Sequence, residues 1–237
     1  MVGWRQFGER GRHSLAIATS MAVLSVGYFS NSVGQTPVLA DPAHFSYDAG
    51  ASLDVKQLSA KVQDGVTIQD ITYTGSNGDT VPAYLVIPKG AGKFAAIIWG
   101  HWLMPGVANS SREEFLGEAI ALAPSGVISL LIDAPQHRSG FKPTPNPVLV
   151  AQQVIDLRRG LDLLNSRADV AANRIAYVGH SWNAGNGAIL DAIDKRFAAF
   201  VFMSGPQSTR EYVLSSDSPR VAPARNTTRH GEGGTES

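Results

Sequence analysis

The segment Gly179-His180-Ser181-Trp182-Asn183-Ala184-Gly185 holds the side chain best placed for covalent chemistry. It follows the apolar run Ile175–Val178 and leads into small residues, so a buried strand is expected to turn sharply into a helix at Ser181. On such a turn the serine hydroxyl projects from the end of the sheet, where it can attack an acyl carbon. Strand and helix nearly touch there, so the residues two before and two after the serine must be small. Gly179 meets that demand, whereas Asn183 stands where a second glycine is usual. Asparagine tolerates unusual backbone angles better than most residues. The alternative reading makes Ser181 an ordinary helix N-cap.

Acyl transfer also needs two backbone N–H groups aimed at the developing oxyanion. One is expected from Trp182, the residue after the serine. The other is expected from the loop Trp99-Gly100-His101-Trp102-Leu103-Met104-Pro105-Gly106, at Trp102 or Leu103. The plainer reading of that segment is an ordinary strand-to-helix connection.

Several elements must position these groups. Val66–Thr74 and Val81–Pro88 read as strands joined through Asn77-Gly78 in a hairpin, since that pair accepts positive φ. Ala95–Gly100, Val127–Asp133, Ile175–Val178 and Phe197–Met203 are apolar runs typical of strands covered on both faces. Between them lie helical patterns. Ser111 and Glu114 read as a capping box ahead of Phe115, Ala119 and Leu122, with Pro124 and Gly126 as the stop. Asn146 reads as a cap with Pro147 at the first helical position. The stripe Val150, Val154, Leu157, Leu161 and Leu164 follows, leaving Gln153, Asp156 and Arg159 expected to face solvent. Strands alternating with helices imply an α/β class with a mostly parallel sheet, an antiparallel N-terminal hairpin and helices on both faces.

The Ser181 turn, the Trp-Gly-His loop, Glu113–Ala123 and Leu130-Leu131-Ile132-Asp133-Ala134-Pro135 together resemble the α/β-hydrolase superfamily on its dienelactone-hydrolase-like branch. The likeness runs from about Val66 to Gly205. It implies a serine esterase or related acyl hydrolase without a metal or cofactor, in which Ser181 is the nucleophile and His180 is not the base. The implied substrates are small carboxylic esters, lactones or thioesters. It also implies an acid and then a histidine after two further strands. Neither strand is recognisable, so the chain reads as a hydrolase core lacking its last strands, a shortened or altered form of a longer hydrolase. Asp217 and His230 occur in the right order, but in a Pro-, Ser- and Arg-rich tail. His137, after Asp133, is a further candidate base, though a surface-loop histidine is the commoner role. Asp191 and Asp194 are expected to be solvated, and His101 with His180 lacks the helical spacing of a metal pair. The alternative function is an inactive hydrolase fragment or an exported binding module.

Composition narrows the partners. The 237 residues include 43% hydrophobic and 17% charged residues, with 20 basic against 20 acidic side chains and no cysteine. A neutral chain has no electrostatic footprint for nucleic acid, and the lack of cysteine excludes disulfides and thiolate sites. Residues 1–40 pair Arg5, Arg10 and Arg12 with an apolar run from Leu15 to Phe29 and small residues near Ala40. They read as a secretory signal, or as a membrane anchor if uncleaved, with export expected and the mature chain starting near Asp41. Residues 41–205 form the expected core, and 206–237 an irregular tail.

Overall fold

The computed structural model describes residues 41–104, 107 and 109–205. Seven strands form one sheet: β1 (Lys56–Gln63), β2 (Val66–Thr74), β3 (Thr80–Ile87), β4 (Phe94–Gly100), β5 (Val127–Ile132), β6 (Val170–His180) and β7 (Ala199–Met203). Their spatial order is β1-β2-β3-β5-β4-β6-β7. The first three strands and the β3–β5 pair are antiparallel, while β5, β4, β6 and β7 run parallel. The expected mixed α/β sheet is therefore present. Gly75–Asp79 closes the β2–β3 hairpin, with Asn77 and Gly78 at φ 54° and 78° as their residue types favour.

Among the described residues three α-helices cover the sheet: α1 (Leu116–Leu122), α2 (Asn146–Ser166) and α3 (Trp182–Ile193). The apolar stripe of α2 joins Ile98, Leu130, Tyr177 and Leu190 in the larger core on one face. Phe115, Ala119 and Ala123 pack on Trp99, Leu131 and Val178 on the other. Burying each such side chain contributes roughly 1.5–3 kcal/mol, which outweighs local propensity in fixing both faces. Gly126, at φ 81°, ends the turn after α1 as expected. Among the described residues no helix is long and apolar enough to cross a membrane. The leader expected in residues 1–40 and the tail at 206–237 lie outside the described residues.

Besides β7, expected to be covered on both faces but exposed at Ala199, Val201 and Phe202, four expectations need correction. First, β1 was not expected. All eight of its residues are exposed, so it has no buried face to pattern its sequence. A two-residue Asp64-Gly65 turn at φ 53° and 77° pairs it with β2. Second, α1 begins at Leu116, and Ser111 with Glu114 is not its capping box. The Glu114 carboxylate is drawn instead to partners at the sheet end. Third, α2 starts at Asn146 behind Pro145, and no side chain caps it.

Fourth, Gln153, Asp156 and Arg159 point inward and are buried, not solvated. The segment Phe45–Ser52, the β2–β3 turn and the loop after β5 cover that side of α2. Asp156 accepts the Ser76 N–H at 2.6 Å and pairs with Arg138 Nη1 at 2.7 Å. Arg159 donates to the carbonyls of Thr74, Ala51 and Ser52. Asp194 is likewise buried, receiving Arg158 and Arg196, while Asp191 is exposed as expected. Burial opposes ionisation of Asp194, but the hydrogen bonds from Arg196 and Arg158 outweigh it and hold its carboxyl below the usual range.

Candidate active site

Ser181 is the hinge between β6 and α3, at φ 53° and ψ −112°. A non-glycine residue at positive φ is uncommon and costs on the order of 1–3 kcal/mol. The surroundings hold it there. The Ser181 amide donates to the Met203 carbonyl at 2.8 Å, tying the turn to the end of β7. A Cβ built on Gly179 would sit 2.4 Å from the Asn183 carbonyl oxygen, so the close approach of strand and helix demands glycine. Ser181 occupies the helix-cap position, but its side chain makes no capping hydrogen bond. That separates it from an ordinary N-cap and leaves the hydroxyl for other work. The Trp182 N–H, at the first position of α3, has no carbonyl within its own helix to donate to.

Asn183, the departure from a second glycine, is fully buried. Its Nδ2 donates to the His101 carbonyl at 2.7 Å, and its Oδ1 accepts from Gln153 at 3.0 Å and Asn186 at 3.3 Å. Room for it comes from the neighbouring strand, because a Cβ on Gly100 would lie 2.7 Å from Asn183 Cβ.

The described part of the loop after β4 is tied down by several hydrogen bonds. The Ala134 N–H donates to His101 Nε2 at 3.0 Å, so the ring proton is on Nδ1, which donates to the Trp102 carbonyl at 2.5 Å. Burial pushes the His101 pKa down to about 4, keeping the ring neutral. With both nitrogens engaged, His101 is a strut between two loops and not a base. Ser110 Oγ donates to the Trp102 carbonyl and accepts the Met104 N–H. Glu114, which the sequence pattern assigned to a helix cap, accepts the Trp102 N–H at 2.7 Å and contacts His180 Nδ1 at 2.5 Å. The Trp102 ring stacks on His180. This corrects one expectation: the Trp102 N–H, one of the two expected loop donors, is already engaged by a carboxylate.

Asp133, at the end of β5, accepts the Arg112 N–H at 2.8 Å and anchors the segment that delivers Glu114. Burial raises the Asp133 pKa, opposed by the Arg112 amide and guanidinium and by Arg138. Arg112 continues to Asp70 and lies over the Tyr84 ring. His137 sits in the turn Pro135–His137 with its ring edge-on to His101, centroids 5.2 Å apart. No histidine nitrogen hydrogen-bonds to Ser181 Oγ among the described residues. Asp217 and His230 lie outside them. Among the described residues no three His, Asp or Glu side chains converge as a metal site.

The structure thus puts Ser181 on the expected strand-to-helix turn and joins the loop after β4 to that turn through Asn183, whereas the sequence pattern did not mark Glu114, Gln153 or the Arg138–Asp156 pair. Glu114 carried no distinguishing signal, since a carboxylate three residues after a serine is the pattern of a helix start.

No family profile and no curated protein sequence matches the chain. Solved structures do. The acetyl xylan esterase from Paenibacillus sp. R4 aligns with a TM-score of 0.59 at 22% identity, over 77% of this chain and 63% of its own. The acetyl xylan esterase 1 from Thermoanaerobacterium sp. gives 0.59 at 16%, over 77% and 62%. A glucuronoyl esterase from Teredinibacter turnerae gives 0.51 at 17%, over 68% and 48%. The chain thus spans less than two thirds of the length of each of these proteins. Together with the mixed sheet described above, these alignments identify the architecture: this chain has the α/β-hydrolase fold.

Proposed function

We propose that the chain is a carboxylic ester hydrolase with Ser181 as nucleophile. The observation that carries this reading is the strained backbone of Ser181 at the end of β6, with its side chain withheld from capping the helix that follows. Strain of this kind clusters at functional sites because surrounding structure must be spent to keep it. Solved structures of similar fold named as acetyl xylan and glucuronoyl esterases support the reaction class. In the proposed reaction Ser181 Oγ attacks the acyl carbon of a small ester, lactone or thioester. Its proton passes through the base to the departing alcohol or thiol as the acyl bond breaks, and water then hydrolyses the acyl-serine. The N–H groups of Trp182 and of the loop at Trp102 or Leu103 receive the oxyanion. A serine hydroxyl needs a general base in hydrogen-bond reach. His101 is excluded by its two hydrogen bonds, and His180 faces Glu114. Asp217 and His230 stay the proposed acid and base, with His137 as the alternative base. Residues 1–40 are proposed to be a secretory leader, which sequencing the N-terminus of the exported protein tests.

The test is turnover of p-nitrophenyl acetate by the full chain and by Ser181→Ala. Hydrolysis that disappears in the variant supports the enzyme. A second reading, an inactive hydrolase fragment or an exported binding module, is favoured by the capture of the Trp102 N–H by Glu114. Equal background rates in both proteins decide for it.

A further inference from the structure

We propose that the buried amide chain from Gln153 through Asn183 to the His101 carbonyl is a positioning relay, holding the loop after β4 in register with the Ser181 turn. The proposal rests on the reading of Ser181 as nucleophile and of that loop as an oxyanion donor. Three observations carry it. Asn183 stands where close packing favours glycine, yet it is fully buried and every polar atom of its side chain is bonded. Its carboxamide spans two pieces of chain, from the first turn of α3 to the end of β4. Gly100, on β4, is free of the Cβ that would strike it, so the two positions fit as a pair.

The third observation is Gln153. It is fully buried on α2, and its Oε1 finds no hydrogen-bond partner among the described residues. Burying an unpaired acceptor is unfavourable, and an apolar side chain would fill that space without the penalty. What the glutamine supplies is its N–H, donated to Asn183 Oδ1 at 3.0 Å. That bond, with the one from Asn186, fixes which end of the Asn183 amide faces the loop. Nδ2 must then point at the His101 oxygen.

The consequence follows from the planarity of the peptide group. The His101 carbonyl and the Trp102 N–H belong to one rigid plane. Asn183 grips its oxygen side and Glu114 its nitrogen side. The next plane, which carries the Leu103 N–H, is held at the Trp102 carbonyl by His101 Nδ1 and Ser110 Oγ, so both planes of the loop keep a set direction relative to Ser181. Asn183 and Gln153 touch no reacting atom in this scheme; they act through the backbone.

The experiment uses the full chain with Gln153→Met and Asn183→Ala, followed by hydrogen exchange with mass detection and by ester kinetics. In both variants the peptide containing Trp102–Met104 is expected to exchange roughly five-fold faster, the factor for losing one ordinary hydrogen bond. Exchange in β5 and α1 should be unchanged. The kcat for p-nitrophenyl acetate should fall roughly ten-fold or more while KM stays within two-fold, as expected when only oxyanion alignment is lost. Unchanged exchange at Trp102–Met104 in folded Gln153→Met overturns the relay. So does acceleration spread evenly over the sheet, which would mark a packing role alone. Should the unaltered chain lack turnover, the nucleophile reading fails, and the exchange pattern still decides the relay. If Asn183→Ala does not fold, Gln153→Met carries the decision.

Discussion

His101 gives the most quantitative expectation. Its ring is almost wholly buried, and its pKa falls to about 4 against 6.5 in the unfolded chain. A histidine held neutral in the native state contributes stability that is complete above the unfolded value and is lost as pH falls toward the folded one. Between those values the slope approaches about 1.4 kcal/mol per pH unit, so moving from pH 7 to pH 5 should cost about 2 kcal/mol through this one group. Other groups titrate too, and buried Asp133 and Asp156 have raised pKa values that act in the opposite direction. The perturbation that isolates His101 is His101→Gln. It offers an acceptor toward the Ala134 N–H and a donor toward the Trp102 carbonyl but does not titrate. Urea unfolding of both proteins at pH 7, 6 and 5 yields two curves of stability against pH. Their difference should close by about 2 kcal/mol between pH 7 and pH 5 in favour of the variant. Parallel curves would refute the reasoning, because they would mean that the native ring accepts a proton as readily as the unfolded one.

Three further outcomes are expected. Asp156→Asn should cost about 3–5 kcal/mol in urea unfolding at pH 7, since it leaves the buried Arg138 guanidinium without its counter-charge; a loss below 1 kcal/mol on the order of a surface pair would count against this. Gly179→Ala should destabilise by roughly 1–3 kcal/mol or more, because its Cβ would meet the Asn183 carbonyl at 2.4 Å, and thermal melting reads the shift. Asp194→Asn should flatten the acid limb of stability: a carboxyl held below its usual range stabilises above the unfolded pKa and loses that contribution as pH falls through the folded one. An acid limb unchanged by the substitution would show that Arg158 and Arg196 do not stabilise the charged form.

What the residues alone determined is the set of elements whose period and punctuation are local. The central parallel strands were legible because both of their faces are covered, which leaves continuous apolar runs such as Ala95–Trp99; the edge strand β7 is largely exposed and was marked by its apolar residues alone. The Asn77-Gly78 turn was legible because few residues accept its angles. Ser181 was legible because a glycine, a covered strand and small helical residues must coincide around a strained serine. The strand β1 also had a local mark, Asp64-Gly65, but no buried face to give its sequence a period. Tertiary structure decided the rest. Gln153, Asp156 and Arg159 lie on the polar side of α2, and a helical wheel cannot tell solvent from a second layer of chain that brings Ser76, Arg138 and backbone carbonyls as partners. Glu114 has the spacing of a helix cap, yet its carboxylate meets Trp102 and His180 because β4 and β6 are neighbours in the sheet and deliver them to one point. Hydrophobic period records how much apolar area a segment must bury. The partner of a buried charge or amide is set by which segments the fold brings together, and that is written in no single stretch of the chain.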